Sequence, residues 1–186
     1  MKKLIAFSFA VVAAVAANAA SFQWSATNIG KVGDATSAGL TAYLVDASKV
    51  DRATMIAALS TGDFQYMKNE NYLLTTTTLA QGTTGMSRIN TTSGTASSSI
   101  TSYSAYTIVL DGAVGSAKNF LATAQISNAT NPGYDSGNGP GLGNVQFTFG
   151  QQTSTAWTPT SSIPEPTSGL LMLVGLGALA LRRRKA

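Results

Sequence analysis

The sequence predicts a mainly β protein, a sandwich or two-layer antiparallel sheet that carries one α-helix at about residues 48–60. Two observations predict this class. Short segments rich in β-branched and aromatic residues recur through the middle of the chain, separated by stretches of glycine, serine and asparagine. Good helix formers with start and stop signals occur together in one central stretch. We also expect a signal helix before this domain and a transmembrane helix after it.

The first two predicted strands differ in their hydrophobic pattern. Phe22 to Ser25 alternates apolar and polar side chains, which is typical of a half-buried strand. Leu40 to Val45 is a nearly continuous apolar run, which favours a strand covered on both faces. The small and polar residues 30–39 between them predict a loop.

The predicted helix follows the second strand. Ser48 and Asp51 have the spacing of a capping box, so we expect the helix to begin at Ser48. Gly62 can adopt the left-handed conformation that ends a helix. Arg52 interrupts the apolar stripe of this helix, which leaves its amphipathic pattern incomplete.

Serine and threonine dominate the middle of the chain. A strand is predicted from Tyr72 to Thr78, and seventeen of the thirty residues from Thr75 to Ser104 are serine or threonine. Threonine favours strands, whereas serine and glycine favour turns. We therefore expect exposed edge strands joined by flexible loops, with the tract 91–99 the least ordered.

The clearest strands lie in the last third of the central domain. Residues 106–110 and 120–126 predict two strands joined by a hairpin connection. The glycine-rich segment 128–143 predicts a loop, and residues 145–149 alternate as a final strand. The β-rich domain is accordingly assigned to residues 20–150, and a polar linker to residues 151–162.

Composition limits the function of the central domain. The chain has 186 residues, a net charge of +4, and neither cysteine nor histidine. Residues 20–163 contain six basic and seven acidic side chains, a net charge of −1, so the positive charge belongs to the two ends. This charge gives no electrostatic argument for nucleic-acid binding. The missing residue types exclude disulfides, thiol catalysis and the commonest transition-metal ligand.

The N-terminus has the order of a secretory signal peptide, which we assign to residues 1–19. Two lysines precede an apolar stretch at 4–17, which is short for a permanent membrane helix. Ala17 and Ala19 supply the small side chains that signal peptidase requires. Cleavage is therefore expected between Ala19 and Ala20.

The C-terminus, residues 163–186, contains a proline-flanked acid, an apolar run and four cations. The apolar run 169–181 would span about 20 Å as a helix, against a hydrocarbon core of about 30 Å. This length makes it marginal as a permanent anchor, although a simple single-span anchor remains the alternative. The basic residues 182–185 should stay in the cytoplasm by the positive-inside tendency. They also argue against a buried core helix.

These three parts resemble the PEP-CTERM sorting signal of exported bacterial proteins. The sorting motif residues are Pro164, Glu165 and Pro166, and the basic tail residues are Arg182, Arg183, Arg184 and Lys185. The resemblance implies that an exosortase recognises and cuts the motif, and that the tail acts as a retention signal. The resemblance covers the sorting signal alone.

The resemblance implies how the protein is exported and sorted, but it does not imply a molecular activity. The protein would be exported, held transiently in the inner membrane with its C-terminus in the cytoplasm, and delivered to the cell surface or the extracellular matrix. Its expected partners are signal peptidase, the secretion machinery and the exosortase. Central domains in this family are diverse, so no molecular activity carries over.

No motif for catalysis or metal binding is evident, and we expect neither an enzyme nor a cofactor. The seven acids of residues 20–163 are scattered, which does not indicate the paired carboxylates of a glycosidase. The glycine-rich segment 137–143 lacks the preceding strand and following helix of a phosphate-binding loop. Asn131, Asp135 and Asn138 could offer oxygen ligands to calcium, but they lack the spacing of a calcium loop and favour a turn. A secreted hydrolase is therefore the least favoured function.

The leading hypothesis is a non-catalytic surface or matrix protein, and the alternative is a carbohydrate-binding module that attaches to exopolysaccharide. Tyr134 and Trp157 lie in a predicted loop and a predicted linker, which makes them the best candidates for exposed sugar-stacking rings. The other aromatic residues lie mostly on strand patterns and are assigned to the core.

Overall fold

Ten strands and two short α-helices form within the part of the chain that the computed structural model describes, residues 20–30, 39–81, 87–134, 143–153 and 156–160. The strands are β1 (Phe22–Ile29), β2 (Thr41–Asp46), β3 (Leu73–Thr78), β4 (Ala80–Gln81), β5 (Ser87–Ser93), β6 (Ser102–Leu110), β7 (Asn119–Ala122), β8 (Ile126–Thr130), β9 (Val145–Gln151) and β10 (Trp157–Pro159). The helices are α1 (Arg52–Ser60) and α2 (Gln65–Lys68), and a 3₁₀ turn follows at Glu70–Tyr72. The prediction of a mainly β protein is confirmed.

The strands pair into two sheets. One has the order β4-β5-β1-β9, and the other has the order β10-β7-β6-β2-β3, with β8 also paired to β6. Every pair is antiparallel except β1 with β9, which are parallel. The expected antiparallel arrangement is therefore wrong for this pair. A long connection separates β9 from β1, and only a long connection permits parallel pairing.

The first apolar core lies between the two sheets. Phe22 and Trp24 of β1 point inward with Phe147 of β9, and none of the three is more than 1% exposed. The second sheet contributes Leu44 and Tyr103, and the Tyr103 ring meets the Phe22 ring edge-on at 5.0 Å. The alternation at the start of β1 thus reflects a strand with one face on this core.

A second apolar core lies on the opposite face of the second sheet. Val45 of β2 and Tyr106 and Ile108 of β6 pack there with Met55 and Leu59 of α1. Both faces of the second sheet are therefore covered, one by the first sheet and one by the helical segment. This explains the continuous apolar runs in β2 and β6. It also confirms the prediction that β2 is covered on both faces.

Helix α1 begins at Arg52, later than the predicted start at Ser48. Its N-cap is Asp51, whose carboxylate accepts hydrogen bonds from the hydroxyl and the amide of Thr54 at 2.6 and 2.9 Å. These bonds hold the pKa of the Asp51 carboxyl below its usual value. Ser48 instead donates its amide and hydroxyl to Asp46. The predicted capping box is wrong because Asp46 engages Ser48 in a turn.

The helix ends as predicted. Gly62 has a φ of +76°, and its amide donates to the carbonyl of Leu59 at 3.0 Å. The amide of Asp63 donates to the carbonyl of Ala58 at 2.9 Å. This pair of bonds forms a Schellman motif, in which glycine is favoured because side chains strain the left-handed conformation.

The strand predicted at 120–126 is divided into β7 and β8, which pair with opposite ends of β6. Thr123 lies at the break. Its amide donates to the Thr107 carbonyl at 3.0 Å, and its hydroxyl accepts from the Thr107 amide at 2.9 Å. The hydroxyl thus replaces a backbone acceptor of the ladder. Because β8 reaches Thr130, the start of the loop predicted at 128–143 is a strand instead.

Arg52 connects the helical layer to this break. Its guanidinium donates to the carbonyls of Thr123 and Ala122, at 2.5 and 3.2 Å. These carbonyls lie at the end of β7, where the ladder to β6 stops. The residue that interrupts the apolar stripe of α1 therefore has a structural role that helical periodicity does not reveal.

The serine- and threonine-rich tract is more regular than predicted. β3 is an edge strand as expected, but β5 pairs along its length with β1, from Ser93 opposite Phe22 to Ser87 opposite Ile29. Beyond β5, the amide of Ser97 donates to the hydroxyl of Tyr103 at 2.6 Å. Residues 91–93 therefore belong to a paired strand, which composition did not predict because it contains no information on strand partners.

Several predictions concern segments outside the described residues. These are the loop at 31–38, most of the glycine-rich segment 137–143, the signal helix at 1–19 and the transmembrane helix at 169–181. Among the residues that the structure does describe, no helix combines the length and apolar character needed to cross a membrane.

Candidate functional site

The predicted sorting and cleavage residues lie almost entirely outside the described part of the chain. This holds for Ala17, Ala19, the sorting motif 164–166 and the basic tail 182–185. Ala20 is described, and only 4% of its surface is exposed. Its carbonyl accepts a hydrogen bond from the Ala96 amide at 2.6 Å. The residue after the expected signal-peptide cut is therefore bound to the folded domain.

Strand β10 is the described element closest in sequence to the C-terminal signal. It pairs antiparallel with β7 at the edge of the second sheet. Immediately after it, Thr160 donates its amide to the Lys118 carbonyl and its hydroxyl to the Ala117 carbonyl, both at 2.7 Å. Part of the interval 151–162, predicted as a polar linker, is therefore a strand of the second sheet.

Trp157, the first residue of β10, is buried rather than exposed. It is 9% exposed, packs in the core between the sheets, and donates its ring N–H to the Gly30 carbonyl. Tyr134 is 40% exposed, as predicted for a surface loop. Because Trp157 is buried, the two rings do not share an exposed surface. The interpretation of Trp157 as a sugar-stacking residue is therefore wrong.

Most of the described acids maintain local backbone structure. Asp46, Asp51, Asp63 and Asp111 each accept a hydrogen bond from a nearby backbone amide. Glu70 is different, because its exposed carboxylate has no hydrogen bond or ion pair with any described residue. Of these five acids, Glu70 alone has both carboxylate oxygens available for a ligand.

The candidate calcium ligand Asn131 has a structural role. Its side-chain amide donates to the carbonyls of Ser97 and Ile100, at 2.9 and 2.6 Å, and its oxygen accepts from the Gly133 amide at 3.0 Å. The other two candidates, Asp135 and Asn138, lie outside the described residues. Within the described ranges, no group of three or more acids, histidines or cysteines could hold a metal ion.

An open cleft of about 480 Å³ lies between the edge strand β3 and the segment that carries α2 and the 3₁₀ turn. Its lining residues are Tyr43, Met67, Lys68, Glu70, Leu73, Leu74, Thr75 and Thr76. The side chains of Lys68 and Glu70 are exposed, and neither forms an ion pair within the described residues. Burial raises the pKa of Tyr43, although a hydrogen bond with Thr41 opposes this shift. The Tyr43 hydroxyl therefore stays protonated and can both donate and accept.

Sequence reasoning did not identify this cleft. Its lining comes from three separate parts of the chain, around residues 43, 67–70 and 73–76. The middle part had no clear periodicity, because α2 is a single helical turn. The nearest signal was a local concentration of tyrosine and charge between Tyr66 and Tyr72, which is equally typical of an exposed loop.

The chain beyond Thr160 is where comparison with known proteins finds a match. Residues 162–185 match the PEP-CTERM protein-sorting motif. The match includes the sorting motif 164–166 and the basic tail 182–185, and it implies an exosortase as the processing partner. It also implies export, with transient membrane anchoring before processing. No curated protein and no solved structure matches this chain.

Proposed function

We propose that this protein is a non-catalytic component of the cell surface or extracellular matrix, delivered there by a PEP-CTERM/exosortase system. The observation that carries the proposal is the match at residues 162–185, directly after a folded domain whose last described residue is Thr160. The apolar signal peptide predicted at residues 1–19 supplies the route out of the cytoplasm.

The connection between the folded domain and the sorting motif is short. Thr160 is hydrogen-bonded to Lys118 and Ala117, and four residue steps separate it from Pro164. The apolar run 169–181 begins nine residue steps after Thr160, and a fully extended chain covers at most about 3.6 Å per step, or about 32 Å in all. The sandwich would therefore stay tethered within about 32 Å of the membrane while the apolar run is held there.

The described acids support a non-catalytic role. A glycosidase needs a pair of carboxylates that converge on the scissile bond. Four of the five described acids already bind backbone amides next to them, and Glu70 has no second acid beside it in the cleft lining. The domain therefore has the properties expected of a structural or binding module.

Replacing Pro164, Glu165 and Pro166 together with alanine tests the sorting proposal. The variant should remain with the cell membranes at its unprocessed size, because the exosortase would no longer recognise it. The measurement is immunoblotting of membrane, surface and medium fractions. Alanine at the exposed residues Ser98 and Ser99 is the control, and should leave size and location unchanged. Normal processing and delivery of the triple variant would contradict the proposal.

A further inference from the structure

The cleft beside β3 has the dimensions and the chemical groups of a small-molecule binding site. Its volume of about 480 Å³ falls within the range of about 300–1,000 Å³ that is usual for ligand pockets. We propose that this cleft binds a neutral oligosaccharide. The site is separate from Tyr134 and Trp157, and the proposal does not depend on the sorting route.

The polar groups of the cleft match the hydrogen-bonding needs of sugar hydroxyls. Lys68 offers N–H donors, Glu70 offers carboxylate acceptors, and the exposed hydroxyl of Thr76 can do both. A sugar hydroxyl also donates and accepts, so adjacent hydroxyls can bridge an ammonium and a carboxylate. Hydrogen bonds to charged groups are the stronger kind. Lys68 and Glu70 are both available because they have no partner within the described residues.

Part of the cleft lining is apolar and complements the C–H face of a sugar ring. Tyr43 and Leu73 line the cleft and are only partly buried by the second core. Tyr43 is opposite Thr76 in the β2–β3 ladder, so its ring and the Thr76 hydroxyl lie on the same face of the sheet. An aromatic ring with a polar tip beside a free hydroxyl suits a ligand that is apolar on one face and polar at its edge.

The wall of the cleft is held in place before any ligand binds. The rings of Tyr66 and Tyr72 meet edge-on at 5.2 Å and pack against the second core. The ammonium of Lys49 donates to the Asn71 carbonyl at 2.9 Å, and the side chain of Asn69 accepts from the Asn71 amide at 3.0 Å. A preformed wall reduces the entropy lost on binding, which improves affinity for a weakly held ligand.

The geometry of β3 disfavours an extended peptide as the ligand. A peptide strand would need a regular free edge, but β3 has a register shift where Leu44 is opposite Thr75 and Val45 is opposite Leu73. A Cβ added at Gly94 would lie 3.1 Å from the carbonyl oxygen of Leu74, which is at this irregularity, so there is little space beside that carbonyl. Only part of the edge is therefore free to form a ladder.

The charges of the cleft favour a neutral ligand. Lys68 and Glu70 are the charged residues that line it, one of each sign. An acidic polymer would gain from Lys68 but would be repelled by Glu70, and a basic one would meet the reverse. Neutral sugar hydroxyls can form hydrogen bonds with both Lys68 and Glu70 and are repelled by neither.

The test is binding of the full chain to a printed panel of neutral, acidic and amino oligosaccharides and of strand-forming peptides, followed by titration of the strongest ligand. We expect a neutral oligosaccharide to be that ligand. Lys68→Ala and Glu70→Gln should each weaken its binding by about tenfold, because the first removes a charged donor and the second replaces a charged acceptor with a neutral amide. Both side chains are exposed and unpaired, so unchanged thermal melting should show that the variants fold.

Tyr134→Ala is the matched control, because Tyr134 is an exposed aromatic residue that does not line the cleft. It should leave the affinity unchanged. The proposal is overturned if no oligosaccharide binds, if a peptide or a charged sugar is the strongest ligand, or if the two cleft variants bind as the unmodified chain does. A loss of binding in Tyr134→Ala alone would also overturn it, since the sugar would then bind elsewhere.

Discussion

Gly94 determines how closely the two sheets approach each other at one edge of the sandwich. Its φ is +73°, and a Cβ added there would lie 2.8 Å from the Cβ of Thr75 and 3.1 Å from the carbonyl oxygen of Leu74. Next to it, the hydroxyls of Thr75 and Ser93 are hydrogen-bonded at 3.2 Å and join β3 to β5. Glycine is required here for both its backbone conformation and its lack of a side chain.

We expect Gly94→Ala to destabilise the protein more than Gly150→Ala, although the two glycines have nearly the same φ. Gly150 has a φ of +70° and no atom within 4 Å of an added Cβ, so alanine there incurs only the left-handed strain of about 1–2 kcal/mol. At Gly94 the steric clash should add about 1–3 kcal/mol. Urea unfolding of both variants measures the difference. Equal losses of unfolding free energy in the two variants would show that β3 and β5 can move apart at Gly94 without a free-energy cost.

At the scale of elements, β10 is the feature that most changes the interpretation of the sequence. The stretch around it is polar, and three residues with one tryptophan do not give a strand pattern. The structure shows that this tryptophan fills the core between the sheets and that the strand completes the edge beside β7. The folded domain therefore extends almost to the sorting signal.

Trp157→Ala should reduce the free energy of unfolding by about 3–5 kcal/mol, the usual cost of removing a buried tryptophan side chain. The loss combines the apolar contacts of the ring with its hydrogen bond to the Gly30 carbonyl. Tyr134→Ala, which removes an exposed aromatic ring, should change the stability by less than about 0.5 kcal/mol. Denaturant unfolding provides the comparison. A similar small change in both variants would mean that β10 is not part of the cooperative fold.

The order of apolar and polar residues predicted those strands whose side-chain pattern depends only on which of their faces are covered. The alternation in β1 and the apolar runs of β2 and β6 depend on which faces are covered, and side-chain periodicity reports this directly. The start of α1 and the break at Thr123 were not predictable in the same way. Both depend on competition between specific hydrogen bonds, of Asp46 with Ser48 and of Thr123 with Thr107.

For the whole molecule, the sequence identified the sorting signal better than the cleft beside β3. The signal is a linear motif, so residue order at 164–166 and 182–185 contains all of its information. The cleft depends on which strand lies at the edge of the second sheet and on where α2 packs. The parallel pairing of β1 with β9 could not be predicted either, because the residue pattern of one strand does not specify which strand lies beside it.

The architecture and the terminal signals suggest a division of roles. Strand β10 is an edge strand of the second sheet, and Ala20 and Thr160 are both hydrogen-bonded to the domain close to the two expected cleavage sites. Removal of the two terminal signals would then leave this hydrogen-bonding intact. We therefore expect processing to change the location of the protein without changing its fold.

Peptide mapping of the protein recovered outside the cell tests the central claim most directly. Mass spectrometry should find an N-terminus at Ala20 and no peptide from the apolar run 169–181 or the basic tail 182–185, because the exosortase would have removed them. Protein from the membrane fraction should still contain the tail. External protein that retains the sequence through Lys185 would contradict sorting by exosortase processing.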